Sequence, residues 1–133
     1  MFDALDIGAS ALTAQRARMN TIASNVANIG TTRNEKGQPI PFRRRIAMLE
    51  PQSDEQGRPG VRLAKIIEDP SPFRKVYDPG HPDADAEGNV LFPNIDMAME
   101  LVNMMEASRA YEANVNAMEV SKAMINASLR LIA

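Results

Sequence analysis

Cysteine and tryptophan are absent from the 133-residue chain, and only 2 tyrosines and 4 phenylalanines occur. Without cysteine there is no disulfide and no thiolate metal site. The absence also suits a protein that leaves the cytosol and must not cross-link on the way. No run of about 18 apolar residues exists, so no transmembrane helix is expected. The N-terminus lacks the basic-then-apolar order of a secretory leader, because Asp3 and Asp6 are acidic and the apolar residues around them are interrupted. Charge of one sign is not in excess: 15 Lys and Arg stand against 17 Asp and Glu. Neither nucleic acid nor an anionic membrane is demanded as a partner. Action outside the cytoplasm would require export without a cleaved leader.

Glycine and proline are missing from the two ends. All 9 prolines fall between Pro39 and Pro93; Gly8 is the only glycine before Gly30, and neither residue occurs after Pro93. In a helix interior Gly costs about 1 kcal/mol and Pro about 3 kcal/mol. The ends therefore permit long helices and the middle forbids them. The length suits one domain-sized unit. It is expected to be mainly α, with an N-terminal helix in residues 1–30, a loop-rich middle with short strands in 31–93, and a C-terminal helix in 94–133. With 9 Met residues and few aromatics, the apolar residues have little bulk and pack adaptably. That favours long helices laid against partners over a compact globule.

What is present is clearest at the C-terminal end. Met97, Leu101, Met104, Ser108, Tyr111, Val115, Met118, Lys122, Ile125, Leu129 and Ile132 are spaced alternately by four and three. Such a heptad pattern predicts helices meeting along a narrow seam. At 1.5 Å per residue the stripe is about 50 Å long. Ser108 and Lys122 are its polar positions. Asn94 or Asp96 is expected to cap the helix after Pro93. Met99, Val102, Met105, Met124 and Leu131 lie off the seam, so one partner helix does not cover every apolar residue. At the N-terminal end Phe2, Leu5, Ala9 and Leu12 form a stripe that Met19, Ile22, Val26 and Ile29 continue, with Gly30 as the expected stop. The simplest solution packs the two helices together as an α-helical coiled coil. In the middle, 42–49, 61–67 and 73–77 read as strands. The polar stretch 50–60 is expected to join the first two as a β-hairpin, and 78–89 reads as loop. No internal repeat is evident.

Candidate chemistry is thin. His81 is the sole histidine, in Asp78-Pro79-Gly80-His81-Pro82-Asp83, and with no second histidine it reads as a turn residue. Asp83, Asp85, Glu87 and Gly88 partly match a calcium loop, yet the twelfth position is Asn94 rather than Glu and prolines replace the entering helix. Arg43, Arg44 and Arg45 form a basic cluster that reads as a solvated strand edge. Asn20, Asn25 and Asn28 lower helix propensity within nine residues and call for a reason, such as bonds to a neighbouring chain or a fixed register. No catalytic residue, cofactor or metal ligand is expected.

The run Ser24-Asn25-Val26-Ala27-Asn28-Ile29-Gly30-Thr31-Thr32 resembles the N-terminal signature of flagellar rod, hook and related axial proteins. Three further stretches resemble the proximal rod members of that family: Glu68 to Pro82, Pro93-Asn94-Ile95-Asp96, and Ser108-Arg109-Ala110-Tyr111-Glu112-Ala113-Asn114. The resemblance spans essentially the whole chain. It implies a structural subunit exported by the flagellar type III apparatus without a cleaved leader. It further implies terminal helices forming the inner tube around the export channel in the periplasm-spanning rod. Implied partners are other rod proteins, copies of the chain itself and the export apparatus. The expected subunit contacts are Leu5, Leu12, Met19, Ile22, Asn25, Val26, Asn28, Leu101, Met104, Tyr111, Val115, Met118, Ile125 and Leu129. Two alternatives remain at this level: a cytoplasmic helical adaptor using the same seam, and a small metal-dependent enzyme around His81, Asp83 and Asp85.

Overall fold

The computed structural model describes residues 2–133, with Phe2 described by its backbone alone, so the apolar contact expected of Phe2 lies outside the described residues. In chain order the elements are α1 (Phe2–Ala27), β1 (Arg45–Ser53), β2 (Pro59–Glu68), β3 (Arg74–Tyr77), β4 (Asn89–Phe92) and α2 (Met97–Ile132). The expected architecture of two long helices around a middle of small hairpins is present. The chain forms two compact units. The first joins residues 1–19, 47–65 and 105–133; the second joins 20–46 and 66–104.

Helix α1 runs without interruption past Gln15 and Arg16. Its end differs from expectation. The helix closes at Ala27, and Asn28 rather than Gly30 closes it. The Asn28 amide and its Nδ2 both donate to the Ser24 carbonyl, at 3.1 and 2.8 Å, and the Thr31 hydroxyl donates to Asn28 Oδ1. A side chain that satisfies an end carbonyl removes the need for a left-handed glycine, and Gly30 is not in that conformation. At the start of α2, Asp96 is the cap: its Oδ1 accepts from the Ala98 amide at 2.9 Å. Asn94 is engaged elsewhere.

In the first unit the two helices run antiparallel, since Gly8 lies against Met118 while Met19 lies against Ser108, whose hydroxyl donates to the Met19 sulfur. A Cβ on Gly8 would stand 2.5 Å from Met118 Cγ, so only glycine admits this approach. Ala14 and Ala107 are buried in the same unit. The hairpin arm of this unit is tied to α1 by the Val61 amide donating to Ser10 Oγ at 3.1 Å and by Arg58 pairing with Asp6 at 2.8 Å.

β1 lies later in the chain than the expected 42–49, β2 runs beyond 61–67 at both ends, β3 falls within 73–77, and β4 was not foreseen. β1 and β2 form one two-stranded sheet; β3 pairs antiparallel with β4 through Arg74↔Phe92, Lys75↔Leu91, Val76↔Val90 and Tyr77↔Asn89. Val90-Leu91-Phe92 is too short a run between Gly88 and Pro93 to declare itself, yet Val90 is fully buried.

One turn design recurs three times: Asn34-Glu35-Lys36-Gly37-Gln38, Asp54-Glu55-Gln56-Gly57-Arg58 and Asp85-Ala86-Glu87-Gly88-Asn89. In each, the first residue's side-chain oxygen accepts from the amides two and four residues on, at 2.8 to 3.0 Å. The glycine amide donates to the first residue's carbonyl, and the first amide donates to the fifth residue's carbonyl. All three glycines have φ between 75 and 84°, as a type I turn followed by a bulge requires. The acids that imitate a calcium loop therefore serve a turn: Asp85 binds amides. Gly88→Ala is expected to lower the melting temperature, because the left-handed φ costs about 1–2 kcal/mol and a Cβ would meet the Tyr77 ring at 2.9 Å. Gly30→Ala, with nothing within 4 Å, should leave it unchanged or raise it; equal losses in both variants would contradict this account.

Candidate interaction surface

Asn25 and Glu100 are the buried polar side chains on which the second unit is organised, at 1 and 0 % exposure. Asn25 reaches the start of β1 in two directions: its Nδ2 donates to the Arg45 carbonyl at 2.8 Å, and its Oδ1 accepts from the Arg45 amide at 2.9 Å. The same Nδ2 lies 3.3 Å from Glu100 Oε2. Glu100, in the first turns of α2, takes Arg44 Nε at 2.5 Å, and Arg44 extends to Asp69 at 3.2 Å. Asn94 completes the cluster, accepting from the Arg44 amide and donating to the carbonyls of Asp69 and Ser71. A carboxylate buried without a partner is very costly; here a guanidinium and an amide share it.

Burial lowers the proton affinity of Arg44, but the Glu100 and Asp69 carboxylates outweigh it and hold its pKa above the ordinary value. Asp69 sits below the usual carboxylate range because the Ser71 hydroxyl and amide donate to it, with Arg44 adding to the effect. Asp83 is lowered likewise, first by the Thr32 hydroxyl at 2.6 Å and then by Arg33 at 2.7 Å. His81 accepts from the Asp83 amide through Nδ1 and meets the Phe92 ring edge-on. It thus acts within a turn, in accord with its bland reading. Among the described residues no group of His, Asp and Glu is arranged to hold a metal ion.

The arginine cluster is only in part the solvated edge that its sequence suggested: Arg45 is exposed at the start of β1, while Arg43 and Arg44 are half-buried. Arg43 donates to the carbonyls of Asp69 and Ser71 and lies over Phe73 at 4.2 Å, Arg44 holds Glu100, and Arg45 lies over Phe42 at 5.0 Å. Arg44, Asp69, Asn94 and Glu100 escaped sequence reasoning because their pairing joins positions up to 56 residues apart. The one usable signal was the group Asn20, Asn25 and Asn28, amides that weaken the helix they sit in; of these Asn25 bonds within its own chain rather than to a neighbouring one.

The expected contact residues divide by exposure. Ile22 and Asn25 are buried. Leu5, Leu12, Met19, Val26, Asn28, Met104, Tyr111, Val115, Met118 and Ile125 are half-buried. Leu101 and Leu129 are exposed, at 53 and 58 %. In the first unit the covered face of α2 follows Ala107, Ser108, Tyr111, Asn114, Val115, Met118, Ser121, Ile125 and Ser128. It shares Ser108, Tyr111, Val115, Met118 and Ile125 with the heptad seam and adds Ala107 and Asn114, but farther along it takes Ser121 and Ser128 where the seam has Lys122 and Leu129, both exposed. Small residues allow a close helix approach, so the large ones are turned away from it.

Arg44→Ala should destabilise the second unit by about 3–5 kcal/mol in urea unfolding, because it strands a buried carboxylate. Arg44→Met combined with Glu100→Leu should recover much of that loss; no recovery would refute a charge-based explanation. Asp69 and Asp83 have folded pKa values below the unfolded value of about 3.9, so the unfolded state takes protons first as pH falls. Their stabilisation is present above about pH 4 and is lost as pH drops through the folded values. The urea midpoint should fall in that acid range, and fall less in the Asp69→Asn, Asp83→Asn double variant.

Comparison with known proteins assigns the chain. Residues 5–33 match the flagella basal body rod protein family, and residues 86–131 match the C-terminal region of the flagellar basal body rod FlgEFG proteins. The flagellar basal-body rod protein FlgC of Bacillus subtilis is 41% identical, with 98% of this chain and 97% of the relative covered. FlgC of Salmonella typhimurium is 39% identical with 98% and 97% covered, and FlgC of Borreliella burgdorferi is 35% identical with 99% and 97% covered.

Proposed function

The chain belongs to the FlgC family of flagellar basal-body rod proteins, and from that premise we propose that it polymerises through its terminal helices into a tube around an export channel. It is a structural subunit of the flagellar basal body and not an enzyme. No helix among the described residues is long and apolar enough to cross a membrane.

The observation that carries the assembly reading is the apolar surface of α2 that its own chain leaves uncovered. In the first unit Val120, Met124 and Leu131 are 60, 63 and 88 % exposed. Their spacing of four and seven places them on one side of the helix, away from the face that meets α1. In the second unit Met99 and Val102 repeat the arrangement. A helix apolar on two sides is not satisfied by one partner helix. Neighbouring rod subunits, including further copies, supply the missing surface, and the α-helical coiled-coil packing is completed between subunits. The contact set keeps the exposed and half-buried members of the expected one, Leu5, Leu12, Met19, Val26, Asn28, Leu101, Met104, Tyr111, Val115, Met118, Ile125 and Leu129, extended by Val120, Met124 and Leu131; Ile22 and Asn25 are buried within their own chain and drop out of it.

Folding and assembly are coupled in this reading. The helix ends gain too little from each other to offset their ordering entropy and complete their order on docking. The export apparatus then receives a chain whose ends are still open, and repeated head-to-tail contacts build an open array in the periplasm-spanning rod.

Val120→Asp or Leu129→Asp, made in a motile host, should abolish rod assembly and motility while the chain is still synthesised, since a charge would be forced into an apolar contact. Motile cells carrying Val120→Asp, Leu129→Asp and Leu101→Asp together would sink the proposal. Retention of the protein in the cytoplasm of such a host would instead favour the helical adaptor. His81→Ala should leave motility intact.

A further inference from the structure

The second unit also carries a cleft formed by the end of α1, the segment after it and the residues flanking the β1–β2 hairpin. The cleft, of about 900 Å³, is lined by Arg33, Lys36, Arg43 and Arg45 together with Phe42, Phe73, Glu35 and Glu68. Arg33 is taken by Asp83. Lys36 and Arg45 pair with no carboxylate among the described residues, and Arg43 donates only to main-chain carbonyls. Arg43 and Arg45 are held before any partner arrives. Arg43 and Arg45 lie over the Phe73 and Phe42 rings at 4.2 and 5.0 Å. Lys36 sits on the Asn34–Gln38 turn, which carries four hydrogen bonds of its own plus one between the Asn34 and Gln38 side chains. Guanidinium groups fixed on aromatic faces lose little freedom on binding and present a planar fork to a carboxylate.

The main chain beside them is also open. Residues 41–44 belong to no strand, and the amides of Phe42 and Arg43 have no acceptor among the described residues. An extended guest can pair with that backbone while its side chains reach the cations. We propose that this cleft docks an extended, acidic polypeptide segment of a neighbouring rod subunit. The occupant's identity as a rod neighbour rests on the assembly reading above; the acidic, extended chemistry rests on the cleft alone. A peptide is favoured over an anionic glycan because apolar Ile40 and Pro41 line the cleft with the cations and the two aromatic rings.

The test titrates the purified full-length chain with a fluorescently labelled hexaglutamate peptide, a hexaglutamine peptide and an anionic glycan fragment, read by fluorescence anisotropy. Expected is saturable, salt-sensitive binding of hexaglutamate alone, weakened at least tenfold by Lys36→Ala with Arg45→Ala. Lys36→Ala by itself touches no internal contact and should still weaken binding measurably, so misfolding does not confuse the result. No saturable binding, equal binding of hexaglutamine, preference for the glycan, or unchanged affinity in the double variant would each overturn the proposal. In a motile host, Lys36→Glu with Arg45→Glu should impair motility. If the reversal leaves motility intact while Val120→Asp abolishes it, the cleft proposal fails and the assembly reading stands; if neither matters, the assembly reading fails as well.

Discussion

The second unit depends on keeping one charge out of water. Glu100 is fully buried at the start of α2, and its carboxylate is tolerable only while Arg44 and Asn25 reach it. Each partner brings a different piece of chain: Asn25 comes from α1, Arg44 from the entry to β1, and Asp69, beyond Arg44, from the end of the hairpin. An apolar contact in the same place would tolerate sliding. A charge with directional partners does not, because a shift of one residue leaves it unpaired. The network therefore specifies which residue meets which more than it adds stability.

The middle of the chain solves a different problem, which is reversing direction without a large core. It does so with a single device used three times, an Asn or Asp whose side chain gathers two amides ahead of a left-handed glycine. Asp54, Asp85 and Asn34 each satisfy donors that a tight turn would otherwise leave open. The turns are consequently held by local bonds and demand little from packing. That leaves exposed residues such as Lys36 on a firm base, which is what a docking surface in a loop-rich segment needs.

The helices of the first unit show how small residues distribute large ones. Gly8, Ala14 and Ala107 let α1 and α2 come close. The close face then has no room for Leu129 or Lys122, and Val120, Met124 and Leu131 stay outside. An intramolecular contact between small side chains thus leaves the bulky apolar ones exposed, as the proposed assembly requires.

The sequence alone determined the three-part plan, because helix interiors reject glycine and proline and those residues mark the middle segment. It determined the apolar period of the C-terminal helix, and in the N-terminal helix Asn20, Asn25 and Asn28 stood out together as amides lacking a local reason. It did not reveal that Glu100 is buried, since a carboxylate near a helix start is equally well explained by the helix dipole. Nor did it separate the face of α2 that meets α1 from the face left open: positions one residue apart lie about 100° apart on a helix, and both rows are apolar enough to serve. β4 was too short to show a period. Those choices depend on which distant residues meet, and only the tertiary structure supplies that.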